Sequence, residues 1–173
     1  PDDKPHLTEI QRANKYYNDN LFDTAIIAFN AAFSHWRQQN QVDSLLKYSI
    51  EYAVAFERMQ HVKDAYPYFT DLEKRLDKQT HFDSTAYSDF LIAKSIILYN
   101  DNKTYESIQS LHRAKEIILR KFTYPDRRIS AIYDYLGVGY EQNGDFKNAL
   151  KYNLLSDQCS KKLKKGTYGD HLY

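Results

Sequence analysis

Glycine and proline are scarce in this chain. Its 173 residues hold 5 Gly and 4 Pro, about 5% against a usual share of roughly 12%. Sandwiches and barrels need a turn roughly every 8–12 residues, usually at Gly or Pro, so an all-β architecture is excluded. Collagen-like order is excluded too, and a hydrophobic share of 42% excludes a disordered class. Charge of one sign is also lacking: 24 Lys and Arg against 23 Asp and Glu leave +1. Such a balance gives no overall field for nucleic acid or an anionic membrane. Cys159 stands alone, so neither an intrachain disulfide nor a multi-thiolate metal site can form. A single Cys fits a reducing compartment, and a cytoplasmic location is the expectation. No apolar run approaches the roughly 18 residues of a membrane span. The chain begins without Met, which leaves room for an upstream signal or domain.

What is abundant is tyrosine, at 16 residues, with 9 Phe. The most regular stretch is Ile129 to Leu163. It runs Tyr133-x2-Leu136-Gly137-x2-Tyr140, then Gln142-Asn143-Gly144-Asp145-Phe146, then Ala149. Gly137 is expected to let a second helix pack closely, facing Ala149. Tyr140 fills the space between the helices, Gly144 supplies the positive φ that ends the first, and Asp145 caps the second. Weaker copies lie upstream. The first holds Ala13, Tyr16, Asn20, Phe22, Ala25, Phe29 and Ala32. The second holds Ala53, Phe56, Gln60, Val62, Ala65 and Phe69. The third holds Ser95, Leu98, Asn102, Ser107, Leu111 and Ala114. The small residue of the second helix recurs at Ala25, Ala65, Ser107 and Ala149, at spacings of 40, 42 and 42.

This pattern resembles the tetratricopeptide repeat. The period exceeds that family's usual length by about two helical turns, as in arrays similar to kinesin light chains and to bacterial regulatory arrays ahead of CHAT-type proteases. The ending Lys165-Gly166-Thr167-Tyr168-Gly169-Asp170-His171 is similar to the linker of that longer class. The resemblance implies an all-α solenoid of about four helix-turn-helix repeats, with eight antiparallel helices in a right-handed superhelix. The expected repeats are 6–41, 42–82, 83–125 and 126–165, with 166–173 a linker or the start of a truncated unit. Helices are predicted near 6–19, 22–39, 42–59, 62–78, 83–100, 104–121, 126–142 and 146–164. Thr8, Asp43, Asp83 or Ser84, and Asp126 are the capping candidates. The last hairpin is expected to expose Ile132, Leu136, Leu150, Leu154 and Leu155 unless a downstream segment, a second copy or a neighbour covers it.

Catalytic patterns are not apparent. Gly137-Val138-Gly139 is the only close glycine pair, and Gly137 is explained by helix packing. The six His are scattered, with no HExxH pair. Cys159 reads as a small packing residue. Glu51 and Glu57 carry no sign of a tuned pair. The run Lys161-Lys162-Leu163-Lys164-Lys165 suits a helix C-terminus. Neither an enzyme nor a metal or cofactor site is therefore expected.

In the family that the chain resembles, the first helices line a concave groove. Carried over, that surface would be Asn14, Tyr17, Asn18, Lys47, Glu51, Arg58, Tyr99, Asn100, Asp134, Val138 and Glu141. Tyr gives large contact area for little entropy loss, and Asn bonds a peptide main chain. The basic clamp of chaperone-tail receptors is not reproduced, because Ile10 is apolar and Asp134 has the wrong sign. The expected function is a non-catalytic scaffold that binds a protein or peptide, with no nucleic-acid or membrane partner. Two other readings remain: a regulatory or sensory region of a larger enzyme such as a CHAT-type protease or sensor kinase, and self-association through the uncapped last repeat.

Overall fold

A computed structural model describes residues 4–122 and 127–169. Among these residues the elements are α1 (Lys4–Asn18), α2 (Phe22–Gln38), α3 (Val42–Lys47), α4 (Ser49–Arg58), a 3₁₀ turn (Val62–Ala65), α5 (Tyr66–Leu76), α6 (Ser84–Asn100), α7 (Thr104–Lys121), α8 (Arg127–Gln142) and α9 (Phe146–Gly169). The described chain is all-α.

The repeat is written in the backbone. Asn20, Gln60, Asn102 and Gly144 all have positive φ, between 59° and 75°, at spacings of 40, 42 and 42. Each follows the first helix of a pair. At each, the next residue's N–H bonds back to a carbonyl five positions earlier: Leu21 to Tyr16, His61 to Phe56, Lys103 to Leu98 and Asp145 to Tyr140. This 6→1 closure satisfies a carbonyl that the helix end would leave bare. Asn40 makes the same turn between the first two pairs, with Gln41 bonding to Trp36.

The hairpins α1–α2, α6–α7 and α8–α9 pack most extensively, and successive pairs stack through α2 on α4, α4 on α6 and α7 on α8. Central α6 is covered on most of its circumference, burying Phe90, Leu91, Ile92, Ala93, Ile96 and Ile97. Tyrosine fills two aromatic clusters. One joins the first two pairs through Phe29, Phe33, Trp36, Tyr52 and Tyr68. The other joins the last two: Tyr140 stacks on Tyr152 at 5.5 Å, and His112 bonds the Tyr140 hydroxyl at 2.9 Å.

Two of the eight expected helices are interrupted. The first helix of the second pair breaks at Tyr48 into α3 and α4. The hydroxyls of Tyr68 and Ser49 both donate to the Leu45 carbonyl, at 2.6 and 3.3 Å. That carbonyl is the acceptor an unbroken helix reserves for the Ser49 N–H. The following helix begins as a 3₁₀ turn, because Pro67 has no N–H to give the Lys63 carbonyl.

Asp83 caps α6 by accepting from the N–H groups of Thr85 and Ala86, and Asp145 accepts from the Asn148 N–H in the first turn of α9. Thr8 instead lies within α1, and Asp126 is outside the described residues. Gly137 does not face Ala149: a Cβ there would meet the Asn153 side chain. Ile132 and Leu136 are fully buried rather than left on the end face, since they point between α8 and its neighbours; Leu150 and Leu154 are exposed, with Phe146. Helix α9 continues through Gly169, into the stretch expected to be a linker.

Candidate functional site

The residues expected to bind a partner lie on the first helix of each pair. Helix α1 supplies half-buried Asn14 and Tyr17 and exposed Asn18. Helices α3 and α4 present exposed Lys47, half-buried Glu51 and exposed Arg58, spaced along one face by four and seven residues. Helix α6 contributes exposed Asn100, which donates to the Glu57 carboxylate at 3.2 Å and to the Ile96 carbonyl at 2.9 Å. Helix α8 presents exposed Asp134, Val138 and Glu141. Half-buried Tyr99 lies at the C-terminal end of α6.

Electrostatics show which of these act on one another. Burial chiefly raises the Tyr17 hydroxyl, and the charges of Glu51, Arg58 and Glu57 act on it in turn. Tyr135 of α8 is pushed up to about 12, first by burial, then by Glu57 and Tyr17. Residues of α1, α4 and α8, three of the four pairs, thus share one environment. Tyr135 is absent from the sequence-derived set. It lies one helical face-step from Val138 and two turns from Arg128, which is the spacing that would have found it.

Toward the N-terminal ends of these helices lies a cavity of about 410 Å³, lined by Lys47, Tyr48, Ile50, Glu51, Asp89 and Arg128 among others. The Arg128 Nε donates to buried Asp89 at 2.6 Å, joining α8 to α6. Lys47 lies over the Tyr48 ring at 5.6 Å. The Glu51 Oε2 is shielded from solvent and has no hydrogen-bond partner, and burial raises its carboxyl above the ordinary value. Among the described residues no group of three or more His, Cys, Asp or Glu could hold a metal ion. No described helix is long and apolar enough to cross a membrane.

No family model and no curated protein matches the chain. Among solved structures it is similar to BtubC (BKLC) from P. vanneervenii, with a TM-score of 0.69 and 13% identity over 92% of this chain. At that identity the likeness is one of fold: an all-α helical repeat array. The match spans 64% of the BtubC chain.

Proposed function

We propose that this array is a non-catalytic scaffold of the tetratricopeptide type, whose groove binds a protein or an extended peptide. The observation that supports this reading is that Tyr17, Glu57, Arg58 and Tyr135, from three different pairs, lie near enough for their charges to act on one another. A preformed surface built from rigid helices avoids ordering costs on binding. Its tyrosines offer large faces with polar tips, and Asn100, Asn14 and Asn18 offer amides for a peptide main chain. The test is the double variant Tyr17→Ala with Tyr99→Ala, extended by Tyr135→Ala. Each should weaken a bound peptide while leaving the helical melt in place; undiminished affinity in all of them contradicts the groove assignment.

A second reading rests on α9. Phe146, Leu150 and Leu154 form one exposed stripe, at 70%, 62% and 53% exposure. Their equivalents 42 residues earlier are Thr104, Ile108 and His112. Those three lie against Gln142, Gly139 and Tyr140 of the next pair. A second copy of the chain covering this stripe would bury the same kind of surface. Sedimentation of wild type against Leu150→Glu with Leu154→Glu tests it, and a wild type that stays monomeric at high concentration contradicts it.

A further inference from the structure

The positions at which α7 meets the next pair are filled differently at the open end. On α7, Thr104 donates to Gln142 at 2.6 Å, and His112 bonds the Tyr140 hydroxyl at 2.9 Å. Between them Ile108 packs on Gly139, where a Cβ would lie 3.0 Å from the Ile108 Cγ1. On α9, 42 residues later, Phe146 and Leu154 replace both hydrogen-bonding groups, with Leu150 between them. The face therefore calls for a wholly apolar counterpart, since a polar group seated on it would lose water and gain no partner. Helix α1 of another copy does not supply one. Gly144 and Asn20 mark the same turn 124 residues apart, which aligns Gly139, Tyr140 and Gln142 with Lys15, Tyr16 and Asn18. Exposed Lys15 would stand where even a Cβ is crowded, and Asn18 would face Phe146. Among the described residues no other helix carries three exposed large hydrophobic side chains. The surface of this molecule that matches the stripe is the stripe itself.

The stripe is also self-complementary. Phe146 and Leu154 stand four residues either side of Leu150, about 6 Å along the helix axis in each direction. Two α9 helices laid antiparallel about Leu150 bring Phe146 of each copy against Leu154 of the other. The same arrangement opposes the helix dipoles, and it turns the end bearing exposed Lys161 and Lys162 toward the start at Asp145. A parallel pair would instead align Lys147, Lys151 and Lys161 with their own copies. We propose that the chain self-associates as a closed two-fold dimer through antiparallel α9 helices, with Leu150 at the axis, and not by stacking α1 on α9. This rests on the second reading above, in which a second copy covers the stripe. An isologous contact closes at two copies, whereas a head-to-tail contact that does not close continues into a filament. Three side chains make a contact smaller than the roughly 800 Å² per partner of a standard interface, so the dimer is a weak, exchanging one.

The test is sedimentation equilibrium of the intact chain and its variants, with thermal melts to check that each is folded. The expected result is a monomer–dimer equilibrium with no larger species. Phe146→Glu and Leu154→Lys should each weaken dimerisation about tenfold or more. The two together should recover most of that loss, because antiparallel packing sets each Glu against a Lys of the other copy. Lys15→Glu should leave the equilibrium unchanged. A double variant no better than the single ones, or oligomers that grow past two copies and respond to Lys15→Glu, overturns the two-fold contact and leaves self-association standing. A wild type that stays monomeric up to about 500 μM, or association indifferent to both single variants, overturns the second reading as well.

Discussion

The Asp43 carboxylate accepts the backbone N–H of Asp83 at 2.9 Å. Asp83 in turn caps α6, and Lys121 lies 3.9 Å from it. One acid therefore starts the central helix while another fixes where that helix begins relative to the second pair. The Asp83 carboxyl is held below its ordinary value, chiefly by the Ala86 N–H. Asp83→Ala should cost about 1–2 kcal/mol, read by urea unfolding. Asp43→Ala should cost less, because the Asp83 N–H regains water.

The positive-φ turns differ in how well their residues suit them. Asn tolerates the left-handed region, and Gln has no such advantage. Gln60→Gly should stabilise the array by about 1 kcal/mol, more than Asn20→Gly or Asn102→Gly. Gly144→Ala should destabilise by about 1 kcal/mol through backbone strain alone, since a Cβ there meets nothing within 4 Å. Equal effects at Gln60 and Asn102 would contradict this ranking.

Glycine also sets the spacing of α8, at a position the sequence did not single out. A Cβ on Gly139 would lie 3.0 Å from the Ile108 Cγ1 of α7. A Cβ on Gly137 would meet only the end of exposed Asn153. Gly139→Ala should therefore cost about 1 kcal/mol despite better helix propensity, and Ile108→Val should recover part of it. Gly137→Ala should be neutral or stabilising, because Asn153 swings aside.

Acid should act on His112. Burial, then the Lys115 charge, hold it below its ordinary value of 6.5. The neutral ring accepts from Lys115 and bonds Tyr140. Its contribution is complete above pH 6.5 and is lost as pH falls through the lowered value. Glu51 has the opposite sign. Its carboxyl is raised above 4.5, so its contribution is present below pH 4.5 and lost as pH rises through the raised value. Glu51→Gln should raise the melting temperature at pH 7 by roughly 2–4 °C, about 1 kcal/mol, with the gain fading toward pH 4. His112→Gln should flatten the slope between pH 7 and 5. Thermal melts across that range check both.

Local signals carried most of the fold. The helix boundaries followed from Asn20, Asn102 and Gly144, whose backbone needs are visible in a single residue. The break at Tyr48 was not legible, because its cause is a hydroxyl arriving from Tyr68, 20 residues on. Gly137 drew attention through its motif, whereas Gly139 owes its role to Ile108 on another pair. The expected surface was legible helix by helix, and of its residues Glu51 and Arg58 act on Tyr17. Tyr135 escaped because its neighbours Tyr133 and Tyr140 pack against Tyr152, and tyrosines of one helix are not told apart without the faces they meet. Ile132 and Leu136 were expected on the open end, but Phe146 takes that place with Leu150 and Leu154.

The most direct measurement is calorimetric titration of one library-selected peptide into wild type and into Tyr17→Ala with Tyr135→Ala. The two tyrosines come from the first and last pairs, so only a ligand held across the groove feels both. The account predicts a loss of about tenfold or more in affinity with the thermal melt preserved. Equal affinity in the two proteins contradicts it.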